Sequence, residues 1–274
     1  MSAMERKTVK KGSIALYLAL LLIAIIAMIA LRNFDKIVST PDKPQRDSMV
    51  VAIEYSPLSL YTYSDTLGGF SYDLLRMVAQ KAGINLKYQP MVTLTSSLNK
   101  LKSGEYRMVC AEFPVIKENK DDYLFTTPIY VDRQVLVQRI QPDSTIAVKS
   151  LLDLAHDTVW VVDGSSIASR LLNLSHEIGD TIYINADKEY GTEQLFLRVA
   201  TGDIKQAVMN ERVAKKMATL YPNVDISTSI SFTQFQSWIL QREDSTFCDS
   251  INSWLEAVKL TPEYKSLYDR YFSN

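Results

Sequence analysis

Short apolar runs alternate with stretches of helical periodicity along the chain from Met49 onwards. The run at 49–53 (MVVAI) is typical of a buried strand, and the periodic stretch that follows ends at Gly83, a residue suited to a left-handed helix end. The apolar face of this helix is predicted to hold Leu74, Leu75, Val78 and Ala82. Further strands are predicted at 86–89, 107–111, 158–162, 181–184 and 204–209, and further helices at 96–103, 167–174, 192–200 and 211–220. Strands that alternate with helices predict an α/β fold built on parallel sheets.

Residues 123–139 (YLFTTPIYVDRQVLVQR) interrupt this alternation. A turn-forming cluster at 126–128 is followed by a run rich in Val, Leu and Gln, which predicts a strand with few surface charges. A strand between two series of strands and helices is a natural crossover. We therefore predict that the chain passes here from one lobe to another.

The C-terminal region predicts two helices, the first of them capped by Ser245. Thr261 and Pro262 form a typical start signal for the last helix. This helix carries an aromatic and apolar stripe formed by Tyr264, Leu267, Tyr268 and Tyr271. We expect the stripe to pack in the core rather than to hold a cofactor.

The N-terminus carries an uncharged apolar run at residues 13–31. Nineteen residues in a helix span about 28 Å, close to the thickness of a bilayer core. Basic residues precede the run, namely Arg6, Lys7, Lys10 and Lys11. Such a flank stays in the cytoplasm, so we predict an uncleaved anchor with residues 1–12 inside, 32–47 as a linker and the rest in the periplasm. A cleaved signal peptide is the alternative.

Composition narrows the class of function. The 274 residues carry a net charge of −1, which does not favour a nucleic-acid partner. Cys110 and Cys248 match no metal-binding spacing and are expected to be buried, with a bridge between them as the alternative. His156 and His176 lie in polar segments, so we predict neither a metal nor a cofactor.

Several motifs resemble those of the type-3 extracytoplasmic solute-binding proteins. The segments GFSYDL and LKSGE are similar to the family's GFDVDL and LxSGxxD, while FTTPIY and QVLVQR are similar to its FSxPYY and QVLLVR. Residues 200–207 resemble its LxxGxxDA. Three passages are more similar to the solute-binding-like domain of membrane-bound lytic murein transglycosylases, at 133–139, 173–184 and 221–238.

The resemblance implies a two-lobed fold of the type II periplasmic binding proteins, preceded by one transmembrane helix. Lobe 1 would comprise residues 48–136 and 234–274, and lobe 2 residues 137–233. A ligand would bind in the cleft between lobes that close by a hinge motion.

The amino-acid receptors of this family hold the ligand carboxylate with an arginine in a TxTxxR loop, and the ammonium with an acidic residue after a strand of the second lobe. Alignment places Pro114 and Ile116 at the threonine positions and Asn119 at the arginine position. Asn210 falls at the acidic position. The resemblance therefore predicts that the chain is not a standard receptor for free α-amino acids.

Other candidate ligand contacts follow predicted strands. Glu54 and Tyr55 follow the first strand, and Glu112 and Phe113 follow another, at the edge where open α/β sheets bind ligands. Glu112 either replaces the missing acidic group or is a solvated loop carboxylate. Phe70 is either core or a stacking surface.

The segment Gly164, Ser165 and Ser166 lies between a strand and a helix and could bind an anion through its backbone. A serine at a helix start is also an ordinary cap. Both interpretations stay open on the sequence alone.

We expect a membrane-anchored extracytoplasmic binding protein for a small polar ligand, such as a peptide, an amino-acid derivative or a cell-wall fragment. The alternative is a non-catalytic regulatory or interaction module of the cell envelope that docks on an envelope enzyme; a permease is the partner expected for an importer. We predict no enzyme activity, because a transglycosylase domain needs roughly 150 residues beyond the binding fold. A dehydratase-like activity would have to use Glu54 and Glu112.

Overall fold

The computed structural model describes residues 49–272. The strands are β1 (Met49–Ile53), β2 (Tyr61–Tyr63), β3 (Thr66–Gly68), β4 (Leu86–Pro90), β5 (Met108–Pro114), β6 (Tyr123–Phe125), β7 (Tyr130–Asp132), β8 (Gln134–Arg139), β9 (Thr158–Val162), β10 (Tyr183–Asp187), β11 (Gln206–Asn210), β12 (Val224–Asp225) and β13 (Gln234–Gln241). The α-helices are α1 (Phe70–Ala82), α2 (Leu94–Lys102), α3 (Lys117–Lys120), α4 (Ile167–Ile178), α5 (Thr192–Thr201), α6 (Glu211–Ala218), α7 (Ser245–Lys259) and α8 (Pro262–Phe272). A 3₁₀ turn spans Leu151–Leu154.

The strands form two main sheets, one for each lobe. The first has the order β4-β1-β5-β13-β6, with β7 also paired to β13, and the second has the order β10-β9-β11-β8-β12. The prediction of parallel sheets is wrong in part, because β13 runs antiparallel to β5 and β8 runs antiparallel to β11. Both antiparallel strands adjoin a crossing between the lobes, and the chain enters each sheet there without a crossover helix to reverse its direction.

The first crossing lies at Arg133. β7 ends at Asp132 in the first sheet and β8 begins at Gln134 in the second, so the predicted boundary after Leu136 would cut through β8. The return crossing runs beside it, since the Gln134 amide donates to the Ser231 hydroxyl at 2.9 Å and its carbonyl accepts from Ile230. Two adjacent strands therefore connect the lobes.

Each lobe buries an apolar core on its sheet. Leu136, Val159, Leu171 and Val208 belong to the core between the second sheet and α4. A second core lies between the first sheet and α2, and contains Ala52, Leu101, Val109, Phe113 and Ile239. A larger cluster continues through both lobes.

The last helix completes the larger cluster, as its aromatic stripe predicted. Phe70 is fully buried, and the aromatic rings packed around it, with centroids 4.6–6.5 Å away, belong to Tyr130, Tyr264, Tyr268, Tyr271 and Phe272. Thr261 caps α8, because its hydroxyl accepts from the Tyr264 amide at 3.2 Å. The cap of α7 is Asp244 rather than the predicted Ser245.

The hairpin β2–β3 lies between β1 and α1, in a segment for which no strand was predicted. Its turn is formed by Ser64 and Asp65, both with positive φ, at 44° and 63°. Turns of this kind match the twist of a hairpin but usually contain Asn or Gly. The glycine signal for a hairpin is therefore absent from the sequence.

The predicted anchor at 13–31, its flank and the linker lie outside the described residues. Within residues 49–272, no helix is long and apolar enough to cross a membrane. Cys110 and Cys248 are buried and free, so the alternative of a bridge between them is wrong.

Candidate functional site

A cavity of about 270 Å³ lies between the two lobes. Its walls come from the ends of β1 and β5 in the first sheet and of β9 and β11 in the second. Parallel strands direct their carboxyl ends to one edge, which is where open α/β sheets collect polar ligand contacts. The fold thus brings segments that are far apart in sequence to one site.

Two carboxylates form the polar wall of the first lobe. Glu54 follows β1, and its Oε2 accepts from the backbone amide of Glu112 at 3.3 Å. The Tyr130 hydroxyl donates to Glu112 Oε1 at 3.0 Å, and the Asn210 side chain also hydrogen-bonds to Glu112. Both glutamates are half-buried. They line the cavity next to each other.

Burial controls the ionisation of this pair. Loss of water raises the pKa of Glu54, although hydrogen bonds from the Glu112 amide and the Thr192 hydroxyl lower it in part. Burial also raises the pKa of Glu112 well above its usual range, and the negative charges of Glu54 and Asp132 raise it further. The site therefore disfavours two negative charges in the absence of a cation.

Asp132 lies at the first crossing and also has a raised pKa. Burial raises the pKa of its carboxyl to about 6, although the amides of Arg133 and Arg212 both donate to it. The Arg212 guanidinium packs over the ring of Phe272, 4.3 Å from its centroid. The crossing thus contains a third acidic group with a perturbed pKa.

Besides the bond between Asn210 and Glu112, two threonine hydroxyls join the lobes across the cleft. The Thr95 hydroxyl donates to Asp163 Oδ2 at 2.6 Å, and the Thr192 hydroxyl donates to Glu54 Oε1 at 3.2 Å. Gly164 permits the first of these contacts, because it has φ +78° and a Cβ there would lie 2.6 Å from Thr95 Oγ1. The lobes are therefore in polar contact around the cavity.

The structure brings most of the predicted site residues to this cavity. Those that line it are Glu54, Tyr55, Glu112, Phe113, Ser165, Ser166 and Asn210. Their roles toward a ligand stay a prediction.

Three predicted residues lie elsewhere. Phe70 is at the centre of the aromatic cluster, fully buried, and does not line the cavity, so it is core rather than a stacking surface. Asn119 donates from Nδ2 to the Pro114 carbonyl at 3.1 Å and is not part of the cavity wall. Gly164 is adjacent to the cavity, against Thr95.

The predicted anion-binding segment is only partly available. The Ser165 hydroxyl donates to the Val162 carbonyl at 2.7 Å, which closes the turn before α4. Ser166 occupies the cap position without a side-chain cap hydrogen bond. Asp163 precedes the same helix and lines the same cavity, so its negative charge opposes anion binding there.

Sequence reasoning missed several polar residues of the cavity wall, among them Thr95, Gln134, Asp163 and Thr192. Gln134 is 2% exposed, and its Oε1 is buried without a hydrogen-bond partner within residues 49–272. A glutamine at the start of an otherwise apolar strand is a usable signal, since buried polar groups are normally paired. No three or more His, Cys, Asp or Glu side chains in the described part of the chain form a group that could hold a metal.

Relatives of the chain include two transglycosylases. It is 26% identical over 221 residues to membrane-bound lytic murein transglycosylase F of Photobacterium profundum. The aligned region covers 79% of this chain and 42% of that protein. It is 25% identical over 231 residues to the protein of the same name from Desulfosudis oleivorans, covering 84% and 49%. The chain thus spans about half the length of these curated relatives or less.

Solved structures share the fold. An ancestral arginine-binding protein bound to arginine superposes with a TM-score of 0.72 at 22% identity, covering 84% of this chain and all (100%) of that one. The GluR0 ligand-binding core from Nostoc punctiforme in complex with L-glutamate superposes with a TM-score of 0.69 at 24% identity, covering 82% and 100%. These two proteins hold a cationic and an anionic amino acid, so the shared fold does not by itself select a ligand.

The sequence profile of one family covers the whole of the described region. It is the profile of the bacterial extracellular solute-binding proteins, family 3, and it matches residues 48–274. The two lobes, the paired crossings and the polar cavity agree with this match. The chain therefore belongs to the family 3 bacterial extracellular solute-binding proteins.

Proposed function

We propose that this chain is an extracytoplasmic binding module that encloses a small polar ligand between its two lobes without catalysis. The observation that carries the proposal is the cavity of about 270 Å³, which is lined by polar side chains from both sheets at the ends of their strands. Hydrogen bonds between the lobes lie beside it, made by Thr95, Thr192 and Asn210. Hinged lobes that meet over a polar cavity are suited to reversible closure around a ligand.

The size of the cavity favours a small ligand. Sites for small molecules usually occupy roughly 300–1,000 Å³, and the cavity here has about 270 Å³. An amino-acid derivative or a very short peptide fits such a volume better than a large cell-wall fragment does. We therefore favour the smaller classes of ligand in the predicted range.

Membrane attachment is part of the proposal. The apolar run at 13–31 with its basic flank supports an anchor in the cytoplasmic membrane and a binding domain in the periplasm. The test is protease accessibility of the full-length chain in spheroplasts. Digestion of the domain from outside intact spheroplasts supports this orientation, and protection of the domain there contradicts it.

Thermal unfolding of the full-length chain in mild detergent tests ligand binding. A ligand at about 100 times its Kd adds about 2.7 kcal/mol, which raises the Tm by about 5–10 °C for a domain of this size. The ligands to be compared are amino acids, amines, short peptides and cell-wall fragments. If no class raises the Tm, the proposed function is wrong.

A matched pair of variants locates the binding. Ala111 lines the cavity, so Ala111→Trp should fill it and abolish the shift. Leu172 is 54% exposed on α4, so Leu172→Trp should leave the shift unchanged. A shift that survives Ala111→Trp in a folded protein would place binding outside the cleft.

A second candidate function is a non-catalytic regulatory module of the cell envelope. The relatives named membrane-bound lytic murein transglycosylase F favour it, because they share this domain within a longer protein. An envelope enzyme would then be the partner, whereas a permease would be the partner of an importer. Affinity capture of the cross-linked full-length chain from membranes distinguishes them, and the absence of any envelope enzyme among the captured proteins would remove this candidate.

A further inference from the structure

The deepest charges of the cavity are negative. Glu54 and Glu112 are half-buried in the wall of the first lobe, and Asp163 lines the same cavity from the second lobe. Lys188 is the one cation among the described lining residues, and it is exposed. A ligand that enters the cavity therefore meets carboxylates before it meets any buried positive group.

The nearby arginines are already paired. Arg198 donates to Asp187 Oδ2 at 2.8 Å, and its guanidinium lies over Trp160, 4.6 Å from the ring centroid. Arg133 donates to Glu211 at 2.7 Å. Neither arginine lines the cavity, so among residues 49–272 the wall has no planar fork of the kind that a ligand carboxylate prefers.

An unpartnered acceptor gives an independent indication of the ligand. Gln134 lines the cavity, is 2% exposed, and leaves its buried Oε1 without a hydrogen bond in the described region. A buried acceptor without a donor is unfavourable; because this oxygen has almost no accessible surface, a ligand donor pairs with it only when the Gln134 side chain turns toward the cavity. The oxygens of Glu54 and Glu112 also accept but cannot donate when ionised. The wall thus favours a ligand with many N–H groups.

An aromatic side chain adds to this preference. Tyr55 lines the cavity and is 47% exposed, so its ring is available to a ligand. Tyrosine faces attract ammonium and guanidinium groups through the charge distribution of the ring. Carboxylates together with an aromatic surface are well suited to recognise a cation.

Ionisation of the acidic pair agrees with the same ligand class. Burial raises the pKa of both Glu54 and Glu112, and each negative charge disfavours the other. A cation placed between them would lower both pKa values and release bound protons. A ligand carboxylate would instead add to the repulsion.

We propose that the cleft binds a small amine or guanidinium compound that lacks a free α-carboxylate, with Glu54 and Glu112 as counter-charges and Gln134 Oε1 as an acceptor. This inference rests on the proposed function, because it assigns a chemical class to the ligand of the same cavity. It separates this chain from relatives of the same fold that hold complete amino acids. The loss of the arginine at position 119 and the presence of the acidic pair then have a single explanation.

Calorimetric titration of the full-length chain tests the inference with matched probes. Agmatine and arginine share a guanidinium group and differ by the α-carboxylate, and cadaverine and lysine form a second pair with the same difference. We expect each amine to bind about tenfold or more tightly than its amino acid, because the carboxylate would face Glu54 and Glu112 without a counter-charge. Glutamate should show no binding.

Variants identify the groups responsible. Glu112→Gln should weaken agmatine binding about tenfold or more, and Gln134→Leu should weaken it by a smaller factor. Glu105→Gln is the matched control, since Glu105 is exposed, pairs with Lys100 and lies outside the cavity. Folding of each variant is checked by its thermal transition.

The possible results separate the two levels of the proposal. If arginine, lysine or glutamate binds in the cleft at least as tightly as the amines, the assignment of a cation without a carboxylate is wrong while the binding function stands. If short peptides bind and the amines do not, this assignment is again wrong and the binding function again stands. If neither amines, amino acids nor peptides bind, the proposed function and this inference both fail.

Discussion

Two adjoining regions of the first lobe differ in how completely their side chains are packed and hydrogen-bonded. The aromatic cluster around Phe70 is closed, with rings in contact on several sides. The acidic pair Glu54 and Glu112 has raised pKa values and an unpaired acceptor beside it at Gln134. Tyr130 belongs to both regions, since its ring packs on Phe70 and its hydroxyl donates to Glu112.

The comparison shows where the chain departs from good packing. Groups that violate the usual rules of burial and pairing concentrate at functional sites, and the rest of the fold must supply the stability. The aromatic cluster packs α8 against the first lobe, and its rings contact the ring of Tyr130. Because the Tyr130 hydroxyl donates to Glu112, the packing of the Tyr130 ring also holds the acidic pair in position, as a binding site requires.

The largest effect is expected in the aromatic cluster. Phe70→Ala removes a fully buried ring and should lower the free energy of unfolding by about 3–5 kcal/mol. Chemical denaturation measures the loss. Phe232→Ala is the control, because Phe232 is 91% exposed and its replacement should change little. A loss below about 1 kcal/mol at Phe70 would contradict the description of this region as the main support.

Tyr130→Phe tests the link between the two regions. The ring contact with Phe70 is kept and the donor to Glu112 is lost, so the free energy of unfolding should fall by about 1–2 kcal/mol near pH 8. Tyr268→Phe is the control within the same cluster. Equal losses in the two variants would show that the hydrogen bond to Glu112 has no special weight.

Glu112→Gln tests whether burial and repulsion destabilise the ionised acidic pair, through the pH dependence of the free energy of unfolding. Because the folded pKa of Glu112 is raised, its contribution to stability falls as the pH rises from the unfolded value of 4.5 through the folded pKa. The free energy of unfolding of the variant should therefore rise relative to that of the wild type as the pH increases from about 5 to about 8. A difference that is constant between pH 5 and 8 would contradict the account.

Thr95→Val gives the smallest expected effect and concerns closure of the lobes. Removal of the hydrogen bond to Asp163 should favour a more open cleft by about 0.5–1 kcal/mol. Small-angle scattering of the full-length chain should then show a larger radius of gyration, and Thr95→Ser should restore the wild-type value. An unchanged radius in the valine variant would mean that this contact does not control closure.

Much of the fold could be predicted from the sequence. The alternation of strands and helices, the left-handed stop at Gly83 and the cap at Thr261 are local signals, and the structure has all of them. The hairpin at Ser64 and Asp65 escaped because its turn lacks the usual glycine. The antiparallel direction of two strands was not predicted, because the direction of a strand depends on where the chain crosses between the lobes.

The candidate site was only partly predictable. Glu54 and Glu112 were predicted from their positions after strands, and Asn210 from the resemblance to the family's acidic position; all three line the cavity. The bonds of Thr95 to Asp163 and of Thr192 to Glu54 join segments 68 and 138 residues apart, so no local pattern reveals them. Asn119 was misplaced because alignment gives a position in a loop but not the direction of the side chain, which bonds back to Pro114.

Proton release on binding of agmatine tests the central claim most directly. Calorimetric titration of the full-length chain near pH 6.5, in two buffers of different ionisation enthalpy, gives the number of protons released per ligand. The account predicts net release of up to about one proton, because the bound cation lowers the raised pKa values of Glu54 and Glu112, and a much smaller release in Glu112→Gln. Binding with no proton release, or with proton uptake, would contradict it.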